Sequence, residues 1–183
     1  KEGLANTLLA VISSISTSGI SVYPQNYDLS LFFILLTIIG GSLISTSSGF
    51  KYVRIYILLK ISYQEMSRLV KPINVIANNL FNSDTKINDS DSKIAFLIFI
   101  FFIISIFILS SILSFENLNF ESYFKLSLLT LTNTTNSSLF GVENLNFIDF
   151  NIFSKISLIA FMILGKIEVI TVLFLLKKVI FKE

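Results

Sequence analysis

Apolar positions along this chain come in long runs, with the polar positions clustered between them. Residues 94–115, IAFLIFIFFIISIFILSSILSF, carry no charge. About 20 residues of this kind are enough to cross a bilayer as a helix, so this run predicts a span. The chain ahead of it has a different rhythm. Residues 4–15 predict a short helix of about a dozen residues, too short to span, and a polar turn follows from Ser16 to Pro24. The run 29–61 is long but interrupted: LSLFFILLTII, then GGSLISTSSGF, then KYVRIYILLK. A Gly pair and a Ser/Thr-rich stretch make poor helix interior, which predicts a broken helix. At membrane depth such a break survives only where protein or a water-filled cavity covers it.

A polar link covers 62–93, and the clean span follows at 94–115. A second short apolar stretch, 122–132 (SYFKLSLLTLT), leads into a second polar turn at 133–141 and a last apolar run at 152–181. The second half thus repeats the first with an extra leading span. Aligning Gly19 with Thr135 lays STSG (16–19) over TNTT (132–135). The fold class this predicts is all-α: a polytopic membrane protein built from repeats of helix, short pore helix, filter-like turn and helix. The predicted units are 1–61 (partial), a linker at 62–93, and 94–183 (complete).

Composition narrows the chemistry. Of 183 residues, 53% are hydrophobic and 14% charged, against about a quarter charged in an ordinary soluble domain. There is no Cys and no His. Disulfides, thiolate nucleophiles and the commonest general base are therefore excluded from this chain, and an enzyme is not expected. A net charge of +2 with no basic stripe gives no footprint for nucleic acid. Ser, Thr, Asn and backbone carbonyls remain, and these suit hard cations.

Charge also gives orientation. Segment 51–93 holds Lys51, Arg54, Lys60, Arg68, Lys71, Lys86 and Lys93, while 22–28, 115–121 and 139–150 hold acidic residues and neither Lys nor Arg. Basic loops stay in the cytoplasm. The link and the C-terminus are thus expected inside, with both polar turns opening from outside. A Ser/Thr-Gly turn between apolar segments is by itself an ordinary loop. Its recurrence after a second short helix favours a re-entrant pore loop, whose carbonyls and hydroxyls can replace an ion's hydration shell.

Four stretches resemble the C-terminal part of the Trk/Ktr/HKT superfamily of potassium transporters, whose chains carry four pore-loop units. These are STSGIS (16–21), GGSLISTSSGFKYVRI (40–55), LVKP (69–72) and MILGKIEVITVLFLL (162–176). The resemblance implies third-unit filter residues at Ser16, Thr17, Ser18 and Gly19, with potassium as the transported ion. It implies a fourth filter at Thr132, Asn133, Thr134, Thr135 and Asn136. An intramembrane gate falls on Gly40, Gly41, Ser45, Thr46, Ser47, Ser48 and Gly49. Lys166 stands where the family has an inner-helix Arg, with Glu168 near it.

Two departures stand out. The fourth filter lacks its glycine, and Lys is a point charge without the planar fork of Arg. By the same resemblance, the protein lies in the lipid of a bacterial inner membrane as a homodimer. It is regulated by a cytosolic nucleotide-binding subunit and binds no cofactor itself. Two units cannot close a four-sided filter, so the missing ones are expected from a longer chain or from another chain. The rival readings are a degenerate, non-conducting membrane subunit and a fragment of a cation-coupled secondary transporter, since broken helices also mark such transporters.

Overall fold

A computed structural model describes residues 2–20, 30–41, 48–70, 89–116, 119–135 and 147–166. Six α-helices run in the order α1 (Glu2–Ile15), α2 (Ser30–Ile39), α3 (Tyr52–Val70), α4 (Asp89–Leu113), α5 (Phe120–Leu131) and α6 (Ile152–Lys166). Short 3-10 turns occupy Ser114–Glu116 and Phe147–Asp149. Among the described residues there is no strand, as the sequence predicts for an all-α chain.

Helix α4 with its 3-10 turn, Asp89–Glu116, is the one described helix long and apolar enough to cross a membrane, with a window of mean hydropathy 3.0. One stripe of it is buried: Ala95, Ile98, Ser105, Ile106, Leu109 and Leu113. These recur at the three- and four-residue spacing of one helix face. The other face exposes Phe96, Leu97, Ile100, Phe107 and Ile108. A helix apolar on all sides needs apolar surroundings on all sides, which a bilayer supplies for the exposed face.

The link predicted at 62–93 contains more helix than its polarity suggests. Helix α3 runs on to Val70, and α4 already begins at Asp89. Residues 62–70 contain neither Gly nor Pro to break the helix. Asp89 and Asp91 lie in the first turn of α4, where acidic side chains complement the helix dipole.

The core gathers on α5, which packs against both α4 and α6. Every residue from Leu126 to Leu131 is buried. A helix covered all round sits inside the protein, where re-entrant backbone can exist at membrane depth. Ala10 of α1 and Phe33 and Ile34 of α2 join the same cluster, with Leu109 and Leu113 of α4 and Leu158 of α6. The two hydroxyls of Ser110 and Ser127 meet at 2.8 Å and tie α4 to α5. At the far end of α4, Glu116 accepts the backbone N–H of Asn151 at 3.0 Å, next to the start of α6. The carboxylate thus lies at that helix's positive end.

Candidate functional site

Helix α1 ends in a left-handed cap. The Ser18 N–H donates to Ser13 O at 3.1 Å, and the Thr17 N–H to Ser14 O at 3.2 Å. Thr17 lies between them at φ 51. Glycine is the usual residue at this position, because a Cβ there is crowded. The turn's hydroxyls form a local chain: Ser16 Oγ reaches Ser13 O and Ser18 Oγ, both at 3.3 Å.

Helix α5 ends in the same way. The Thr134 N–H donates to Leu129 O at 2.9 Å and the Asn133 N–H to Thr130 O at 3.1 Å, with Asn133 at φ 56. The correspondence is residue by residue, at the shift that aligns Gly19 with Thr135. Ser14 Oγ donates to Ala10 O, and Thr130 Oγ1 donates to the equivalent Leu126 O. Ser16 Oγ donates to Ser13 O, and Thr132 Oγ1 to the equivalent Leu129 O. The pair Ser16 and Ser18 has its counterpart in Thr132 and Thr134, whose hydroxyls are 2.8 Å apart. Since Thr132 gives its one hydrogen to carbonyls, Thr134 is the donor between the two.

The two turns differ in cover. Ser16 and Ser18 are exposed, whereas Thr132 is 0% and Thr134 1% exposed. They are also neighbours. A Cβ on Gly19, which has φ +67, would lie 3.3 Å from the Cα of Thr134. Glycine at 19 is therefore favoured twice, by its backbone angle and by this approach.

The predicted break in the second apolar run is present. Helix α2 ends at Ile39, Gly40 takes φ 60, and the chain returns so that the Phe50 N–H donates to Ile38 O at 2.8 Å. Gly49, at φ +91, lies against Thr37, where a Cβ would come 2.7 Å from its carbonyl oxygen. Phe50 is buried and meets Phe99 of α4 edge-on at 5.5 Å, which anchors the return. Ser48 faces both turns. Its N–H donates to Thr17 Oγ1 at 3.0 Å, and its hydroxyl accepts from Asn133 Nδ2 at 2.9 Å. Asn133 Nδ2 also donates to Met162 O of α6 at 3.0 Å.

Lys166 closes the described part of α6 and is exposed. It lines a cavity of about 30 Å³ with Gly49, Phe50, Lys51, Arg54 and Gly165, so the break and Lys166 share one space. Gly165 permits this packing, because any Cβ there would run into the backbone carbonyl of Leu131, the last residue of α5. Lys125 of α5 pairs with Glu121 at 2.5 Å.

The structure thus brings together Ser16–Gly19, Thr132–Thr135, Gly40, Ser48, Gly49 and Lys166. Gly41 continues the break as the acceptor for the Tyr52 N–H. Ser45, Thr46, Ser47, Asn136 and Glu168 lie outside the described residues. Neither the bridging role of Ser48 nor the close approach at Gly165 has a signal in the sequence. Both depend on segments far apart in the chain, and periodicity carries no such information. The left-handed angle at Asn133 had a cue, since Asn follows a short apolar helix there. Among the described residues no group of three or more acidic, His or Cys side chains could hold a metal. A cation at these turns would meet carbonyl and hydroxyl oxygens.

No protein-family model matches the chain. It is 27% identical over 186 residues to an uncharacterized cation transporter of Methanocaldococcus jannaschii, a match that covers all of this chain and 38% of that protein. Its fold is similar to that of the potassium transporter TrkH from Vibrio parahaemolyticus. The TM-score is 0.79 at 24% identity, over 93% of this chain and 36% of that one. The helical fold is therefore shared with TrkH, and the chain spans little more than a third of either relative's length.

Proposed function

We propose that this chain forms part of a potassium-conducting pore of the Trk/Ktr/HKT superfamily, contributing the third and fourth pore-loop units. One observation carries the reading: two short helices end in the same left-handed turn, bond for bond, and Gly19 presses on Thr134. Carbonyl and hydroxyl oxygens of neighbouring turns can replace ion hydration where they face a common path. The likeness to TrkH and to a cation transporter supports transport over catalysis.

In this reading Ser16–Gly19 and Thr132–Asn136 line the filter, potassium is the transported substrate, and no cofactor is bound. The segment 40–49 and Lys166 gate the path below. The remaining units come from a longer chain or a second one. The assembly is a membrane-embedded homodimer with its C-terminus in the cytoplasm of a bacterial cell, controlled by a cytosolic nucleotide-binding subunit.

Uptake of alkali cations by transport-deficient cells expressing the full-length product tests this. Potassium uptake is expected, and Gly19→Asp should lower it at least about tenfold, since an acidic side chain must distort the turn contact. Unchanged uptake in that variant would remove the filter assignment. Deleting 43–47 should raise basal flux, and a fall would count against the gate.

A second reading, a non-conducting membrane subunit, is favoured by one observation. Thr135 stands where the first turn has Gly19, and the hydroxyls of Thr132 and Thr134 are buried and bonded within the chain. Flux absent from the native protein and created by Thr135→Gly would decide for it.

A further inference from the structure

We infer that Ser48 couples the helix break to both turns, acting as a positioning residue for the pore proposed above. The inference rests on that reading for its transport consequence and on geometry alone for the coupling. Thr17 and Asn133 are equivalent positions of the two repeats, and both are non-glycine residues held at positive φ. Such residues keep that conformation only where the surroundings over-determine it. The surroundings here converge on one residue: the Ser48 backbone holds the Thr17 hydroxyl, and the Ser48 hydroxyl holds the Asn133 amide.

Ser48 itself has little freedom to move. It is 3% exposed. A Cβ on Gly40 would come 2.8 Å from its carbonyl oxygen, and the neighbouring Gly49 is pressed on Thr37. The break therefore cannot shift without either dragging the two turns or parting both hydrogen bonds. Close-packed contacts pass on displacement instead of absorbing it. A change at the break thus reaches the turns that set ion choice, and the ions held at the turns bias the break in return, as linkage requires.

The two arms of the test are hydrogen exchange and ion selectivity, both on the full-length protein. Ser48→Ala keeps the backbone N–H and removes only the hydroxyl. It should speed amide exchange across 132–135 several-fold while leaving α4 unchanged. Thr17→Val keeps the branched shape and removes the oxygen that holds Ser48. It should speed exchange at the Ser48 amide and also, through Ser48, across 132–135. Ser48→Thr, which retains both groups, should restore native exchange.

In flux measurements Ser48→Ala should change the potassium-to-sodium uptake ratio by about threefold or more, whereas a loss of folded protein alone would lower both ions together and leave the ratio fixed. The coupling is overturned if Thr17→Val leaves 132–135 at its native rate, whatever happens to transport. If exchange responds as expected but the native protein moves no alkali cation, the coupling stands and the pore assignment fails. If exchange responds and the ratio stays fixed while flux persists, Ser48 holds the turns without governing selectivity, and the positioning role is overturned.

Discussion

The first and second turns have the same backbone and almost the same hydrogen bonds, yet they live in different surroundings. Around Ser16–Gly19 the hydroxyls of Ser16 and Ser18 are exposed, and helix α1 leading to them exposes Leu4, Leu8 and Ile12. Around Thr132–Thr135 the preceding helix is enclosed by α4 and α6, and its last six residues are all buried. The difference separates two sources of order. The turn itself is specified locally, by a short helix and a left-handed cap. Its rigidity is specified by what packs around it, and only the second turn has Gly165 against the end of its helix.

Gly165 separates the two turns most sharply. Gly165→Ala forces a methyl into the Leu131 carbonyl. Overpacking of this kind costs about 1–3 kcal/mol, and contact with rigid backbone puts it at the upper end. Thermal denaturation of the detergent-solubilised protein should show a clear loss of stability, with faster amide exchange at 132–135 and a smaller increase at 16–19, passed on through Ser48. Equal loosening of both turns would mean that Gly165 supports them alike.

Exchanging the two left-handed residues should have a smaller and unequal effect. Asn133→Thr puts a branched side chain at φ 56 and removes both hydrogen bonds donated by Nδ2. A cost of about 2 kcal/mol is expected from lost bonds worth roughly 1 kcal/mol each. Thr17→Asn places a residue that tolerates this conformation better but removes the hydroxyl that accepts the Ser48 N–H, so the two effects offset to within about 1 kcal/mol. Denaturation midpoints of both variants check the asymmetry, and a gain in both would remove the structural role of the Asn133 amide.

Still smaller is the difference between buried and exposed hydroxyls. Thr134→Val takes the donor from Thr132 and should cost about 1 kcal/mol. Ser16→Ala, at an exposed turn, should stay within about 0.5 kcal/mol. If the two substitutions cost the same in urea or thermal unfolding, burial does not separate the turns.

Much of this was legible beforehand, for identifiable reasons. The span at 94–115 could be read because a charge-free run of that length has few other uses. The short helices could be read because they stop at clustered Ser, Thr and Asn. The break at Gly40 could be read because Gly-Gly followed by Ser/Thr cannot hold a helix. Helix ends were read less well. The polar link at 62–93 carried no mark of where α3 ends, because residues 62–70 contain neither Gly nor Pro to break a helix. In the second turn the left-handed angle falls on Asn133, since the cap lies immediately after the last buried turn of α5.

Local pattern was enough for the apolar span at 94–115, the two short helices, the break between α2 and α3 and the alignment of the repeats. Each follows from local periodicity, chain length or glycine placement, which neighbours along the chain are enough to define. Only the tertiary structure decided which turn is buried, that Gly19 meets Thr134, that Gly165 meets Leu131, and that Ser48 joins both turns to the break. These are contacts between segments tens of residues apart. They depend on how closely two backbones approach, and no property of either segment alone contains that distance.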